Sequence, residues 1–258
     1  MALALDLSGK TVVVTGGVRG VGAGISRAFL EAGADVVAVA RREPERLPAA
    51  GGRTARFFSL DVRDPDAAEA FMAGLDRIDV LVNNAGGAPH LPVAEGPLRT
   101  HIKIIELNLT APLIMARAAR ARMAAGGHGG SIIMVGSVSG VRPSPGTAAY
   151  GAAKAGLQSL ATSLAVEWAP DVRVNTVTLG MVRTELAHLH YGDEDGIAAV
   201  GATVPAGRLA DPYEIGAACV YLASDLASYI TGSALLLHGG GERPAFLDAA
   251  TVNKEESR

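Results

Sequence analysis

Short apolar runs alternate along the chain with longer stretches in which apolar residues recur every three or four positions, the rhythm of strands joined by amphipathic helices. Thr11 to Thr15 (TVVVT) is β-branched and predicts a first strand. A glycine-rich turn, GGVRGVG, follows at once, and then a helical pattern through Ile25, Phe29 and Leu30. Asp35 to Ala40 (DVVAVA) predicts a second strand, and RFFSLDV a third that ends at Asp61. Asp64-Pro65 then supplies an N-cap and first-turn pair for a helix. Four further strands are predicted over Ile78 to Val82, Gly130 to Gly136, Asp171 to Thr178 and Ser233 to His238. Helices are predicted over Ile102 to Met123, with Ile105, Leu109, Leu113 and Ala116 on the packed face, over Ala148 to Trp168, and over Asp211 to Leu222. Parallel strands paired through crossover helices are the expected product. With no linker or repeat in view, residues 1–258 are expected to form one domain. A polar segment of about 183–207 is expected to be a mobile substrate lid, and about 242–258 a variable tail.

Composition narrows the partners. The chain is 49% hydrophobic and 19% charged with a formal net charge of −3, which gives no electrostatic pull toward nucleic acid or an anionic membrane. The opening MALALDLSGK lacks a basic segment followed by a long apolar one, and no stretch reaches membrane-spanning length, so a cytoplasmic protein is expected. The single cysteine, Cys219, lies in the apolar run AACVYLA and reads as a buried structural thiol. Six histidines without ligand spacing predict no metal site.

Candidate chemistry sits at the strand ends. Gly16, Gly20 and Gly22 let the backbone turn tightly and approach a pyrophosphate, whose charge is met by free N–H groups at the helix start. The spacing is Gly-x-x-x-Gly-x-Gly, so plain turn chemistry stays open. After the second strand stand Ala40, Arg41 and Arg42, where an acidic residue would hold both ribose hydroxyls. With Arg19 approaching from the glycine turn, the set favours NADP(H) over NAD(H). Asp61 is placed to contact an adenine amino group or simply to form a loop. Asn83-Asn84-Ala85-Gly86-Gly87 ends a strand at the ligand crevice. Asn108, an amide in an apolar helix, either caps a local bend or anchors a water. Ser137 closes the apolar run SIIMVG, and Tyr150 and Lys154, four apart, share a helical face. A phenol with an ordinary pKa of about 10 becomes a useful acid or base at neutral pH when a cation stabilises its phenolate. Taken alone, Tyr-x-x-x-Lys reads first as a packed tyrosine beside a solvated lysine.

In order along nearly the whole chain, Thr15 with GGVRGVG, Asp61-Val62, the NNAG run from Asn83, Asn108, Ser137, Tyr150-Gly-Ala-Ala-Lys154 and YITGSALLLHGG resemble the classical short-chain dehydrogenase/reductases, including 3-oxoacyl-carrier-protein reductase-like members. The resemblance implies one Rossmann-type, doubly wound α/β domain with a seven-stranded parallel sheet and helices on both faces. It implies a tetrad in which Tyr150 is the acid/base, Lys154 binds the nicotinamide ribose and lowers the tyrosine pKa, Ser137 orients the substrate oxygen and Asn108 supports a water relay. Gly16, Gly20, Val21 and Gly22 map onto the pyrophosphate turn, Asp61 and Val62 onto the adenine pocket, and Asn83, Ala85 and Gly86 beside the cofactor. Gly180, Val182 and Thr184 would lie at the nicotinamide carboxamide. Two departures stand out: Leu179-Gly180 where the family has Pro-Gly, and a short Arg41 to Arg56 stretch in which the usual helix is reduced.

The implied activity is NADP(H)-dependent hydride transfer between nicotinamide and a small carbonyl or secondary-alcohol substrate. The alternatives are an NAD(H)-preferring alcohol dehydrogenase and a non-catalytic dinucleotide sensor. Small residues Gly151, Ala152, Ala155 and Gly156 suit a helix–helix subunit contact, so a homo-oligomer, tetramer or dimer, is expected. Arg117, Arg120, Arg122 and Arg173 either offer an acidic carrier protein a dock or are ordinary solvated charges.

Overall fold

A computed structural model describes residues 5–250. Its seven-stranded sheet comprises β1 (Thr11–Thr15), β2 (Asp35–Ala40), β3 (Arg56–Ser59), β4 (Val80–Asn83), β5 (Gly130–Ser137), β6 (Val172–Leu179) and β7 (Ala234–Leu237). The strands are all parallel, in the order β3-β2-β1-β4-β5-β6-β7. The chain winds outward from β1 to β3, then returns to start β4 on the other side of β1. The carboxyl ends of β1 and β4 thus flank the crevice at which the winding reverses.

Nine helices occur among the described residues: α1 (Gly20–Glu31), α2 (Pro65–Ala73), α3 (Leu98–Ile105), α4 (Ala111–Gly126), α5 (Ala148–Trp168), α6 (His188–Tyr191), α7 (Glu194–Ala202), α8 (Pro212–Ala223) and α9 (Ala245–Ala249). Strand alternation sorts the core into two layers. Val13, Val37, Leu81, Ile132 and Met134 face α2, α4 and α5 through Phe71, Met115 and Leu157. Val12, Val14, Val36, Val80 and Ile133 face α1 and α8 through Ile25, Phe29, Ile215 and Cys219. A Cβ on Gly24 of α1 would fall 2.3 Å from the Pro212 carbonyl carbon, so this glycine is what lets α1 and α8 approach so closely. Asp211 caps α8 in a reciprocal box with Glu214, and Asp64 caps α2. Asp79, buried before β4, accepts from the Thr11 amide at 2.9 Å and so ties the start of β1 to its neighbour.

The structure departs from the periodicity in several places. β3 stops at Ser59, which leaves Asp61 in the loop beyond it. The helix expected over 102–123 is broken by a wide, π-helical turn at Glu106–Thr110. Pro112 has no N–H to donate to the carbonyl four residues back, and the extra residue of the wide turn shifts the helical register. Of the expected packed face, Ala116 is buried and Leu109 lies against Gly156, but Ile105 and Leu113 are 37% and 40% exposed. No helix follows β2; a two-residue ribbon, Ala49–Ala50 with Arg53–Thr54, packs on α1 instead. β6 runs unbroken through Leu179, which pairs with both Ser137 and Leu237, and the Gly180 amide donates to the Leu237 carbonyl at 2.8 Å. Of the expected tail, residues 242–250 include α9 and an Arg142–Glu242 ion pair at 2.6 Å; residues 251–258 lie outside the described part.

Candidate active site

At the carboxyl ends of the strands lies a cleft of about 970 Å³. The turn from β1 into α1 forms its floor at one end. Gly16 holds φ at 64° and Gly20 at 53°, and a Cβ on Gly22 would fall 2.1 Å from the Gly16 carbonyl oxygen. The turn therefore brings bare backbone to the cleft surface. Thr15 fastens it to β4: its hydroxyl accepts from the amides of Asn84 (2.9 Å) and Ala85 (3.0 Å), and the Asn84 side chain donates to the Thr15 carbonyl at 2.8 Å. The Gly20 amide, at the positive end of α1, donates to both carboxylate oxygens of Glu185, at 2.9 and 3.2 Å. The segment after Gly180 is thereby tied to the glycine turn, and an anionic group already sits where helix and backbone favour one.

Arg19, Val21, Arg41, Arg42, Asp61, Val62, Ala85, Gly86, Gly180, Val182 and Thr184 all line this cleft with Gly16, Gly20 and Gly22. Asn83 does not. Strand parity turns it to the α4 side, where it is 2% exposed and donates to the Pro112 carbonyl at 3.1 Å; Asn84 lines the cleft in its place. The same parity, Leu81 and Asn83 on one face and Val82 on the other, was available in the sequence. Arg63 and Glu185, also in the lining, are marked by nothing in the sequence: Glu185 meets a glycine 165 residues away, and Arg63, whose partner Asp61 is two residues back, gains its place only because folding sets that loop against the cleft. Arg63 grips Asp61 through Nε (2.9 Å) and Nη2 (2.6 Å), which holds the carboxyl down at about 2.

The other end of the cleft collects Ser137, at the tip of β5, with Tyr150 and Lys154 from α5. Lys154 is 4% exposed; its Nζ donates to the Val135 carbonyl at 2.8 Å and sits 5.6 Å from the centroid of the Tyr150 ring. Burial pushes this ammonium down to about 8. Tyr150 moves opposite to the expectation. Burial raises the phenol above its ordinary value, with the neighbouring Ser137 hydroxyl pulling the other way. Lys154, itself desolvated, donates to a backbone carbonyl rather than to the phenol. Asn108 is fully buried behind this group and does not line the cleft. Within the wide turn its amide nitrogen donates to the Ile104 and Gly87 carbonyls (2.9 Å each), and its oxygen accepts from the Gly87 amide at 2.9 Å. The bend is thus capped by a side chain, which also fixes the loop after β4 beside Lys154.

Two of the four arginines considered as a carrier-protein dock are engaged by this chain's own carbonyls. Arg173 donates to the carbonyls of Leu222 (2.8 Å) and Ile230 (3.2 Å), and Arg122 to that of Leu75 (2.6 Å); Arg117 pairs with Glu69 at 3.1 Å. Among the described residues no helix is long and apolar enough to cross a membrane.

The family model described as "Enoyl-(Acyl carrier protein) reductase" matches residues 16–242. L-rhamnose 1-dehydrogenase (NAD(P)(+)) of Azotobacter vinelandii is 35% identical over 246 residues, 90% of this chain and 96% of its own. The 3-oxoacyl-[acyl-carrier-protein] reductase of Vibrio harveyi is 37% identical, over 92% of this chain and 98% of its own. Among solved structures, a candidate NAD(P) dependent gluconate 5-dehydrogenase from Beutenbergia cavernae, with NADP bound at low occupancy, superposes with a TM-score of 0.83 at 33% identity, over 92% of this chain and 98% of that one. The chain belongs to the short-chain dehydrogenase/reductase family of oxidoreductases.

Proposed function

We propose that the protein is an NADP(H)-preferring oxidoreductase that interconverts a small carbonyl compound and the corresponding secondary alcohol, with Tyr150 as general acid/base. The observation that carries this reading is the convergence of Ser137, Tyr150 and Lys154 in the same cleft as the glycine turn. The cleft suits a dinucleotide: the Gly22 position has no room for a side chain, the α1 amide end already attracts a carboxylate, and Arg19, Arg41 and Arg42 add positive charge. Ala40 at the end of β2 places no carboxylate against a 2′-phosphate, which favours NADP(H).

When bound, the nicotinamide supplies or accepts the hydride. The chain's own groups handle the proton. Tyr150, its phenol raised by burial, is protonated at neutral pH and therefore set to donate to a carbonyl oxygen as that oxygen gains charge. Ser137 donates a second hydrogen bond to the same oxygen and orients it. Lys154 stands beside Tyr150 to hold a ribose hydroxyl, and its charge supports the phenolate left after proton donation. Asn108 keeps the loop at Gly86–Gly87 in place beside Lys154. Residues 183–207 act as the substrate lid, with Leu186 and His190 in the lining, and exposed Ala152 and Ala155 on α5 form a subunit contact of a homo-oligomer.

The test is NADPH oxidation against a panel of carbonyl compounds, with wild type and Tyr150→Phe compared. Removal of a general acid costs about 10²–10⁴-fold in turnover, and NADPH binding should stay within a few fold. Undiminished turnover in Tyr150→Phe refutes the acid/base role. Tighter binding of NADH than of NADPH refutes the cofactor preference.

A further inference from the structure

We propose that Arg63 is a positioning residue for adenine: it clamps the Asp61 carboxylate so that one acceptor direction is left, aimed at the exocyclic amino group of the base. This rests on the dinucleotide reading above and deepens it.

The argument is a count of lone pairs. A carboxylate offers about four acceptor directions, two on each oxygen. Oδ1 of Asp61 accepts from the Arg63 side chain (Nε, 2.9 Å) and from the Arg63 backbone amide (3.1 Å). Oδ2 accepts from Arg63 Nη2 at 2.6 Å. Oδ1 is saturated, and Oδ2 keeps one direction. Both residues line the cleft beside Val62 and Leu107, at the end flanked by Arg41 and Arg42, so the remaining acceptor is available to a ligand there. An N–H donor satisfies it. A carbonyl at the same position, as in hypoxanthine, meets an ionised oxygen and is disfavoured. The guanidinium is held in its charged form chiefly by Asp61 itself, with the charge of Glu106 in the wide turn adding to it.

A brace that merely stiffened the loop would affect every dinucleotide alike, which makes the base itself the discriminating readout. Equilibrium dissociation constants of the full chain would be measured by fluorescence titration for NADH, NADPH and reduced nicotinamide hypoxanthine dinucleotide. Wild type should prefer the adenine over the hypoxanthine form about tenfold, the size expected of one hydrogen bond to an ionised acceptor. In Arg63→Ala that preference should fall to about twofold or less, chiefly through weaker adenine binding, with the NADPH-to-NADH ratio unchanged. Equal weakening for both bases overturns the proposal, as does selective loss of NADPH, which would make Arg63 a phosphate reader. Should Arg63→Ala not fold, Arg63→Gln, which keeps much of the volume and loses the two-pronged charged grip, is read by the same ratio. A wild-type chain that binds both bases equally refutes the proposal and leaves the dinucleotide reading standing; one that binds neither refutes both.

Discussion

Replacing Lys154 with methionine should abolish turnover and, at neutral pH, leave the fold no less stable. Lys154 is 4% exposed, and burial moves its ammonium from 10.5 to about 8. At 1.36 kcal/mol for each factor of ten, that is about 3 kcal/mol of preference for the neutral amine in the folded chain. The unfolded chain holds its proton up to 10.5, whereas the folded chain releases it near 8. Between these values the unfolded state binds more protons, so this group's contribution makes stability rise with pH; below pH 8 the burial penalty is complete. Methionine is unbranched, apolar and unable to titrate. It leaves the Val135 carbonyl without the 2.8 Å bond that Lys154 donates, a loss of about 1–3 kcal/mol that does not vary with pH. Urea melts of cofactor-free wild type and Lys154→Met from pH 7.5 to 10.5 isolate the titrating part. The difference should move in favour of wild type by about 3 kcal/mol across that window. A difference flat to within about 0.5 kcal/mol would refute the reasoning, because it would mean that the ammonium costs nothing where it lies.

Three further outcomes follow from particular contacts. Gly22→Ala places a Cβ 2.1 Å from the Gly16 oxygen and 2.5 Å from Asn84 Nδ2, so the turn must open. Dinucleotide affinity by fluorescence titration should fall at least about tenfold, and a change under twofold contradicts the close-approach argument. Asn108→Ala strips the Gly87 amide, the Gly87 carbonyl and the Ile104 carbonyl of a partner. Urea denaturation should show a loss of about 3 kcal/mol, and one below about 0.5 kcal/mol would mean water takes over the bonds. Cys219, fully buried with its thiol pushed up to about 12, should resist a thiol reagent at pH 8 until the protein is unfolded; labelling of the native protein within minutes contradicts its burial.

The strand–helix order was legible along the chain because a buried parallel strand is a continuous apolar run and a covering helix repeats near 3.6, patterns each residue carries with it. The same holds for Tyr150 and Lys154: a spacing of four on a helix sets their common face whatever surrounds it. Asn83, expected beside the cofactor, is the exception: strand parity with Leu81 turns it away from the cleft, and only the fold shows that α4 lies there to receive it. What lies across the chain was decided only by folding. The break at Glu106–Thr110 depends on Asn108 finding Gly87, twenty-one residues earlier. Glu185 reaches the Gly20 amide from 165 residues away, and Arg63 matters because the end of β3 sets its loop against the cleft. The tertiary structure also decided proton affinities. Spacing alone suggests a phenol lowered by its cation; burial acts on both groups and drives the phenol up and the ammonium down, since desolvation opposes whichever form is charged. Residue type and spacing set which groups can meet, but how much water remains around them is a property of the packed molecule alone.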